Sequence, residues 1–296
     1  MDQADYFVKK QQFVKTVYRD VYPSIDPTAT SNSQAGKVIV ITGASRGLGR
    51  LAFVNSFAKA RPKAIVLVAR TLAALEEVRD EIRAIDENIE VLAVPTDLLN
   101  ADSVNGLWMK VKERFGHADV LVNNAGSLQG GTVADTEVDK WWNDFQTNVR
   151  GVFLITQGFL RLLGKERKGS IVTLTTAAAV MVFPGMSSYS LSKLASMQLQ
   201  AFIAAENPNV TAVALHPGIV LTDMTLDYFL PYAKDTPELV GGVGVWLSTE
   251  KAEFLNGRYI EANWSVDDLS ARKEEIIAQG KLSVRLEGDF GHEQFE

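Results

Sequence analysis

Cysteine is absent from all 296 residues. That excludes disulfides, thiolate metal sites and cysteine nucleophiles together. Histidine is almost as scarce: His117, His216 and His292 are too few and too scattered for a histidine-rich centre, so no metal is expected. No apolar run reaches the ~18 residues of a spanning helix. Positive charge is not in excess either. Lys and Arg total 30 against 36 Asp and Glu, net −6, which argues against nucleic acid or an anionic membrane as partner. The opening "MDQADYFVKKQQF" lacks the apolar core of a signal peptide. A soluble, cytoplasmic protein is the expectation. No internal repeat is found.

What the chain does contain is enough apolar residue, 46% against 22% charged, for one large globular domain or two small ones. Residues 1–35 read as an extension. Phe7, Phe13, Val14 and Val17 suit a short amphipathic helix, and "YPSIDPTATSNSQAG" follows with turn formers. A tail packed on the body is expected, with a lid or a subunit contact as other readings.

From Gly36 the pattern changes. Seven apolar runs rich in Val and Ile alternate with helical segments: 37–42, 64–69, 89–94, 118–123, 170–175, 210–215 and 257–262. Continuous apolar runs suit strands buried on both faces. Strands separated by helices predict an α/β fold, a doubly wound parallel sheet with helices on both faces. Ligands of such sheets sit beyond the carboxyl ends of the strands, so the residues that follow each run deserve the closest reading.

After the first run comes "TGASRGLGR", with Gly43, Gly47 and Gly49 in a strand-to-helix turn. Glycine lets the backbone approach a pyrophosphate, and the helix from about Leu48 points its positive end at it. The second run ends in "VARTLAAL". A site for NAD usually has an acid there for the ribose 2′-hydroxyl; Arg70 stands in its place, and Arg46 lies inside the glycine loop. Two guanidinium groups suit a 2′-phosphate, so NADP(H) is the expected cofactor. The third run ends in "PTDLLN", where Asp97 can accept from an adenine amine with Leu98 against the ring. The fourth ends in "VNNAGS", where Asn123 and Asn124 can tie strand ends while Ala125 and Gly126 let a cofactor pass close.

"TGASRGLG", "NNAG", "YSLSK" and "HPGIVLT" stand in the order and spacing of the short-chain dehydrogenase/reductase family, which residues 36–265 resemble. The stretch from Val21 to Gly49 resembles fungal members, many of which belong to secondary metabolism. The resemblance implies one Rossmann-type catalytic domain with seven parallel strands and hydride transfer between a nicotinamide and a carbonyl or alcohol. It implies Tyr189 as catalytic tyrosine, Lys193 as catalytic lysine and Asn148 in the proton relay. It places Ser45, Arg46, Leu48, Asp97, Asn123, Ile219 and Thr222 at cofactor contacts, with Pro217 and Gly218 in the same turn. A homodimer or homotetramer, through helices near 140–163 and 189–205, is implied by the same analogy.

The chemistry explains these residue types. Tyrosine, pKa ~10, is a poor base at neutral pH, and a neighbouring ammonium lowers that value. Tyr189 and Lys193 are four apart, on one helical face, so the lysine can reach both the phenol and the nicotinamide ribose. Asn148 can hold a water between Lys193 and solvent. The resemblance expects a carbonyl-polarising serine thirteen residues before Tyr189, and the sequence has Thr176 there. Threonine keeps the hydroxyl, with a stiffer χ1; Thr175 should face away, since strand neighbours alternate. His216, before Pro217, reads as a packing residue.

On the substrate side, "VMVFPGMSS" offers Met181, Phe183 and Met186, and 223–242 resembles a variable lid with Met224, Tyr228 and Phe229. Such side chains suit a fairly large apolar ketone or alcohol. Residues 266–296 read as a charged tail. The expected activity is an NADP(H)-dependent ketone/secondary alcohol oxidoreductase; the competing readings are a silent NADP-binding regulator and a non-redox isomerase or cyclase on the same scaffold.

Overall fold

All seven apolar runs become strands: β1 Val38–Thr42, β2 Ala64–Ala69, β3 Glu90–Pro95, β4 Val120–Asn123, β5 Gly169–Leu174, β6 Val210–His216 and β7 Tyr259–Glu261. In the computed structural model, which describes residues 3–288 and 290–292, they form one parallel sheet in the order β3-β2-β1-β4-β5-β6-β7. β1 lies between β2 and β4, with Ile39 opposite both Ile65 and Val120. The order reverses there, and this places the cleft above the ends of β1 and β4.

The helices are α1 Tyr6–Lys10, α2 Asn55–Lys59, α3 Leu72–Ile85, α4 Ala101–Phe115, α5 Val138–Phe145, α6 Val152–Leu163, α7 Ser187–Glu206, α8 Pro237–Leu247, α9 Val266–Ala271 and α10 Lys273–Ala278. Strand alternation divides the core in two. Ile39 and Ile41 meet Phe53 and Phe57, Leu75 and Val78 of α3, and Leu239 and Val243 of α8. Val38 and Val40 face the other way, with Leu107 and Val111 of α4 and Ile155 and Phe159 of α6. Caps set the helix starts where the sequence supplies them: the Asn100 side chain accepts from Asp102 N and Ser103 N at α4, and Thr236 accepts from Leu239 N at α8. Among the described residues no helix is long and apolar enough to cross a membrane.

Two helices are locally unwound into π turns. Gly49–Val54 leads into α2, and Gln146–Gly151 joins α5 to α6. Such turns recur at functional sites, and both of these flank the cleft.

The N-terminal segment is built into the body. Val17 bridges Trp264, Tyr18 N donates to Asn263 O, and Ser265 N donates to Thr16 O. Tyr22 and Ile25 enter the main core. The stretch 223–242 divides: Asp227–Tyr232 is a short surface turn, whereas every residue from Leu239 to Leu247 is buried in α8. Past 265, Val266, Leu269 and Ile276 are also core residues.

Candidate active site

A single cavity of about 940 Å³ runs over the carboxyl ends of the strands. Its first end is made by the turn after β1. Gly47 has φ +53° and nothing within 4 Å of an added Cβ, so its backbone is open to the cavity. Gly49 is needed for the opposite reason: a Cβ there would stand 2.0 Å from Gly43 O. The turn and the following helix are packed backbone to backbone. Asn124 fixes the floor, donating through Nδ2 to Thr42 O at 2.9 Å and Gly43 O at 3.2 Å.

Gly43, Ser45, Arg46, Gly47, Leu48, Arg70, Asp97, Leu98, Ala125, Gly126, Pro217, Gly218, Ile219 and Thr222 all line this cavity. Gly49 lies beneath it. Asn123 is also removed from it: it is buried, and its Nδ2 donates to Thr156 and Thr173 hydroxyls at 3.0 and 3.2 Å. The neighbouring Asn124 faces the cavity instead. Arg46 makes an exposed 3.6 Å ion pair with Asp223 across the mouth. Arg70 has no ion pair among the described residues.

At the centre stand Thr176, Tyr189 and Lys193. β5 ends just before the two threonines. Thr175 is buried, its hydroxyl 3.4 Å from Lys193 O. Thr176 turns to the other side and lines the cavity with Tyr189; its Oγ1 accepts from Ala178 N at 3.2 Å. α7 carries Tyr189 and Lys193 on one face. Lys193 Nζ donates to Leu174 O at 2.8 Å and lies 5.9 Å from the Tyr189 ring centre.

Burial pushes the Tyr189 phenol up to about 12, Asp144 adds to the rise, and the Thr176 hydroxyl pulls the other way. The expected depression by Lys193 is not seen, because the ammonium points at the Leu174 carbonyl rather than at the phenol oxygen. Burial brings Lys193 itself down to about 8, against the opposing charge of Asp144.

Asn148 is fully buried behind the cavity, in the π turn. Its Oδ1 accepts from Ser127 N at 3.0 Å; its Nδ2 donates to Ser127 O and Ser192 Oγ at 2.9 and 3.0 Å. A Cβ on Gly126 would stand 3.2 Å from Asn148 Oδ1 and 3.3 Å from Lys193 Nζ. The loop after β4 therefore threads between the two side chains.

Sequence reasoning missed Asp144. It is fully buried on α5 and accepts from Ser127 Oγ at 2.7 Å, Gln129 N at 3.0 Å and Ser188 Oγ at 2.7 Å. An isolated acid in an amphipathic helix gives no signal; only its spacing from Asn148, four residues, places both on one face. His216 reaches the cavity with Nδ1 unpartnered, and burial lowers it to about 4, so the ring is neutral at physiological pH.

Of the expected substrate residues, Phe183, Met186, Met224 and Phe229 line the cavity. Met181 does not; its sulfur sits 3.3 Å from the Gln11 amide. Tyr228 is exposed and packs edge-on against Phe229. Two lining residues come from the N-terminal segment, Phe7 and Gln11.

The family model for short chain dehydrogenase matches residues 37–231. A short chain dehydrogenase of Monascus purpureus is 37% identical over 285 residues, covering 93% of this chain and 96% of its own. A 3-oxoacyl-[acyl-carrier-protein] reductase of Synechocystis is 33% identical over 75% of this chain and 93% of its own. Among solved structures, a gluconate 5-dehydrogenase of Burkholderia cenocepacia matches with a TM-score of 0.73 over 83% of this chain and 99% of its own. At 22% identity that likeness is one of fold.

Proposed function

Because the chain belongs to the short-chain dehydrogenase family, we propose that it is an NADP(H)-dependent oxidoreductase that interconverts a ketone and a secondary alcohol on a fairly large apolar substrate. The observation that carries this reading is the joining, in one cavity, of a Thr176–Tyr189–Lys193 centre to a glycine turn flanked by Arg46 and Arg70. The family's nicotinamide cofactor fits that cavity: Gly47 leaves its backbone open, and no Cβ stands where a pyrophosphate would approach. Ser45, Gly47 and Leu48 would hold the diphosphate, Asp97 and Leu98 the adenine, and Ile219 and Thr222 the carboxamide. Arg46 and Arg70 would hold a 2′-phosphate, Arg46 exchanging its weak pair with Asp223 for a better one. The bound nicotinamide supplies or takes up the hydride.

The chain's own groups handle the proton. Tyr189, pushed up to about 12, carries its phenolic proton at neutral pH and delivers it to the alkoxide oxygen as negative charge develops there. Thr176, which lines the cavity beside Tyr189, donates to the same oxygen and orients the carbonyl. Lys193 and Asn148, held by Leu174 O and by Ser127 and Ser192, keep the centre in register and furnish the route by which Tyr189 regains its proton. Phe183, Met186, Met224 and Phe229 exclude water and bind the apolar body.

The test is NADPH consumption with a panel of bulky apolar ketones, wild type beside Tyr189→Phe. Wild-type turnover lost in the variant, with NADPH binding retained, supports the reading. Equal turnover in both would move the proton donor elsewhere.

A further inference from the structure

The cavity has a wall that the family match does not account for. The matched residues begin at 37, yet Phe7 and Gln11 line the cavity. Phe7 is 7% exposed, and its ring meets three others: Phe183 at 6.2 Å, Phe229 at 5.7 Å and Tyr232 at 4.8 Å between centres. Phe183 and Phe229 also meet edge-on at 5.8 Å. One N-terminal ring thus joins the loop before Tyr189 to the turn 227–232, and two of its partners are themselves cavity residues.

The wall is anchored. Arg19 donates through Nη2 to Ala4 O at 2.6 Å and Asp5 Oδ1 at 3.1 Å, and through Nη1 to Asp235 Oδ1 at 2.9 Å. The other oxygen of Asp235 accepts from Ile219 N at 2.6 Å. The segment before α1 is therefore tied to the loop that follows β6.

Gln11 adds polarity to an apolar surface. Its amide lies between the Met181 sulfur and the buried Glu261 carboxyl; with nitrogen toward Glu261 it donates at 2.9 and 3.3 Å, and the carbonyl oxygen is the end left beside Met181. Sulfur offers that oxygen no donor. On a part-buried residue that lines the cavity, that oxygen can accept from a hydroxyl or N–H of a ligand.

We propose that residues 6–19 form a substrate-specificity wall, in which Phe7 packs against a ring-bearing apolar ketone and the Gln11 carbonyl accepts from a donor on that substrate separate from the reacting carbonyl. This deepens, and rests on, the oxidoreductase reading. Phe7 and Gln11 are specificity residues and take no part in proton transfer.

The experiment uses the full chain with NADP⁺ present. Binding of acetonaphthone and its ring-hydroxylated analogue is measured by calorimetry for wild type, Phe7→Ala and Gln11→Leu. Reduction of the same ketones and of butanone is followed with NADPH, and circular dichroism checks that each variant is folded. Phe7→Ala is expected to weaken acetonaphthone binding about ten-fold while the KM for butanone and the Kd for NADPH stay within two-fold. Gln11→Leu is expected to remove the preference for the hydroxylated ketone. Unchanged Kd values in both folded variants overturn the proposal. Ketone binding without turnover in wild type overturns the oxidoreductase reading instead, and the Kd comparison still decides the wall. No binding of either aromatic ketone by folded wild type rejects the wall's stated ligand class.

Discussion

Asp144 Oδ2 accepts a 2.7 Å hydrogen bond from the Ser188 hydroxyl, one residue before Tyr189. The same carboxylate holds Ser127 and Gln129, so one buried charge spaces the start of α7 from the loop after β4. Asp144→Ala leaves those donors without an acceptor and is expected to destabilise the protein by about 2–4 kcal/mol in urea unfolding. Asp144→Asn removes the charge with less loss of shape. The charge raises both Tyr189 and Lys193, so its removal lowers both. Ketone reduction needs the protonated phenol, and the alkaline limb of its kcat/KM profile should move to lower pH. An unshifted limb would confine Asp144 to a packing role.

Thr176 is the second test. Thr176→Ser keeps the hydroxyl that reaches Tyr189 and should retain activity. Thr176→Val keeps the volume and β-branching but should lower kcat by about 10²–10³, with NADPH affinity unchanged by fluorescence titration. Normal turnover by the valine variant would leave polarisation of the carbonyl to Tyr189 alone.

The arginines predict cofactor choice. Arg70→Asp should raise the Kd for NADPH at least ten-fold, since a charge-assisted hydrogen bond contributes about 1.5–3 kcal/mol, and should leave NADH binding unchanged or better. Arg46→Ala should act in the same direction and more weakly, because its charge is shared with Asp223. Comparative titration of both nucleotides reads this directly; an unaltered NADPH/NADH ratio would remove Arg70 from the site.

Glu261 makes stability depend on pH. It is 3% exposed, and burial holds its carboxyl up at about 8 from an ordinary 4.5, although the Tyr259 hydroxyl donates to it at 2.8 Å. A raised acid stays protonated in the folded chain while the unfolded chain ionises. Stability is thus full below about 4.5 and declines as pH rises to about 8, by an amount on the order of 5 kcal/mol. Glu261→Gln should flatten that decline and raise Tm at neutral pH. Parallel Tm–pH curves for the two proteins would show that Glu261 ionises alike in the folded and the unfolded chain.

The sheet was legible because burial on both faces demands uninterrupted Val and Ile, and seven such runs became seven strands. The glycine turn was legible because Gly47 and Gly49 answer geometric needs that no other residue meets. Asn123 and Asn124 were not separable: adjacent residues at a strand end point opposite ways, and the register decides which faces the cavity. Asp144 was silent because a buried acid looks like a solvated one until its donors are known. Phe7 and Gln11 were silent because their cavity-side partners lie 170 residues or more along the chain. The stretch 223–242 looked uniform in the sequence, yet α8 within it is core; turn residues at Thr236 and Pro237 were the available sign of the change.

The pairing of Thr16 and Tyr18 with Asn263 and Ser265 has a temporal meaning. Those partners lie more than 240 residues apart along the chain, and a ribosome adds residues N-terminal first. The segment bearing Phe7 and Gln11 must wait, unpaired, until β7 has been made and laid beside β6. Closing so long a loop comes late and slowly. The sheet and its glycine turn can therefore assemble first, and the pocket acquires its last wall only after β7 has been made.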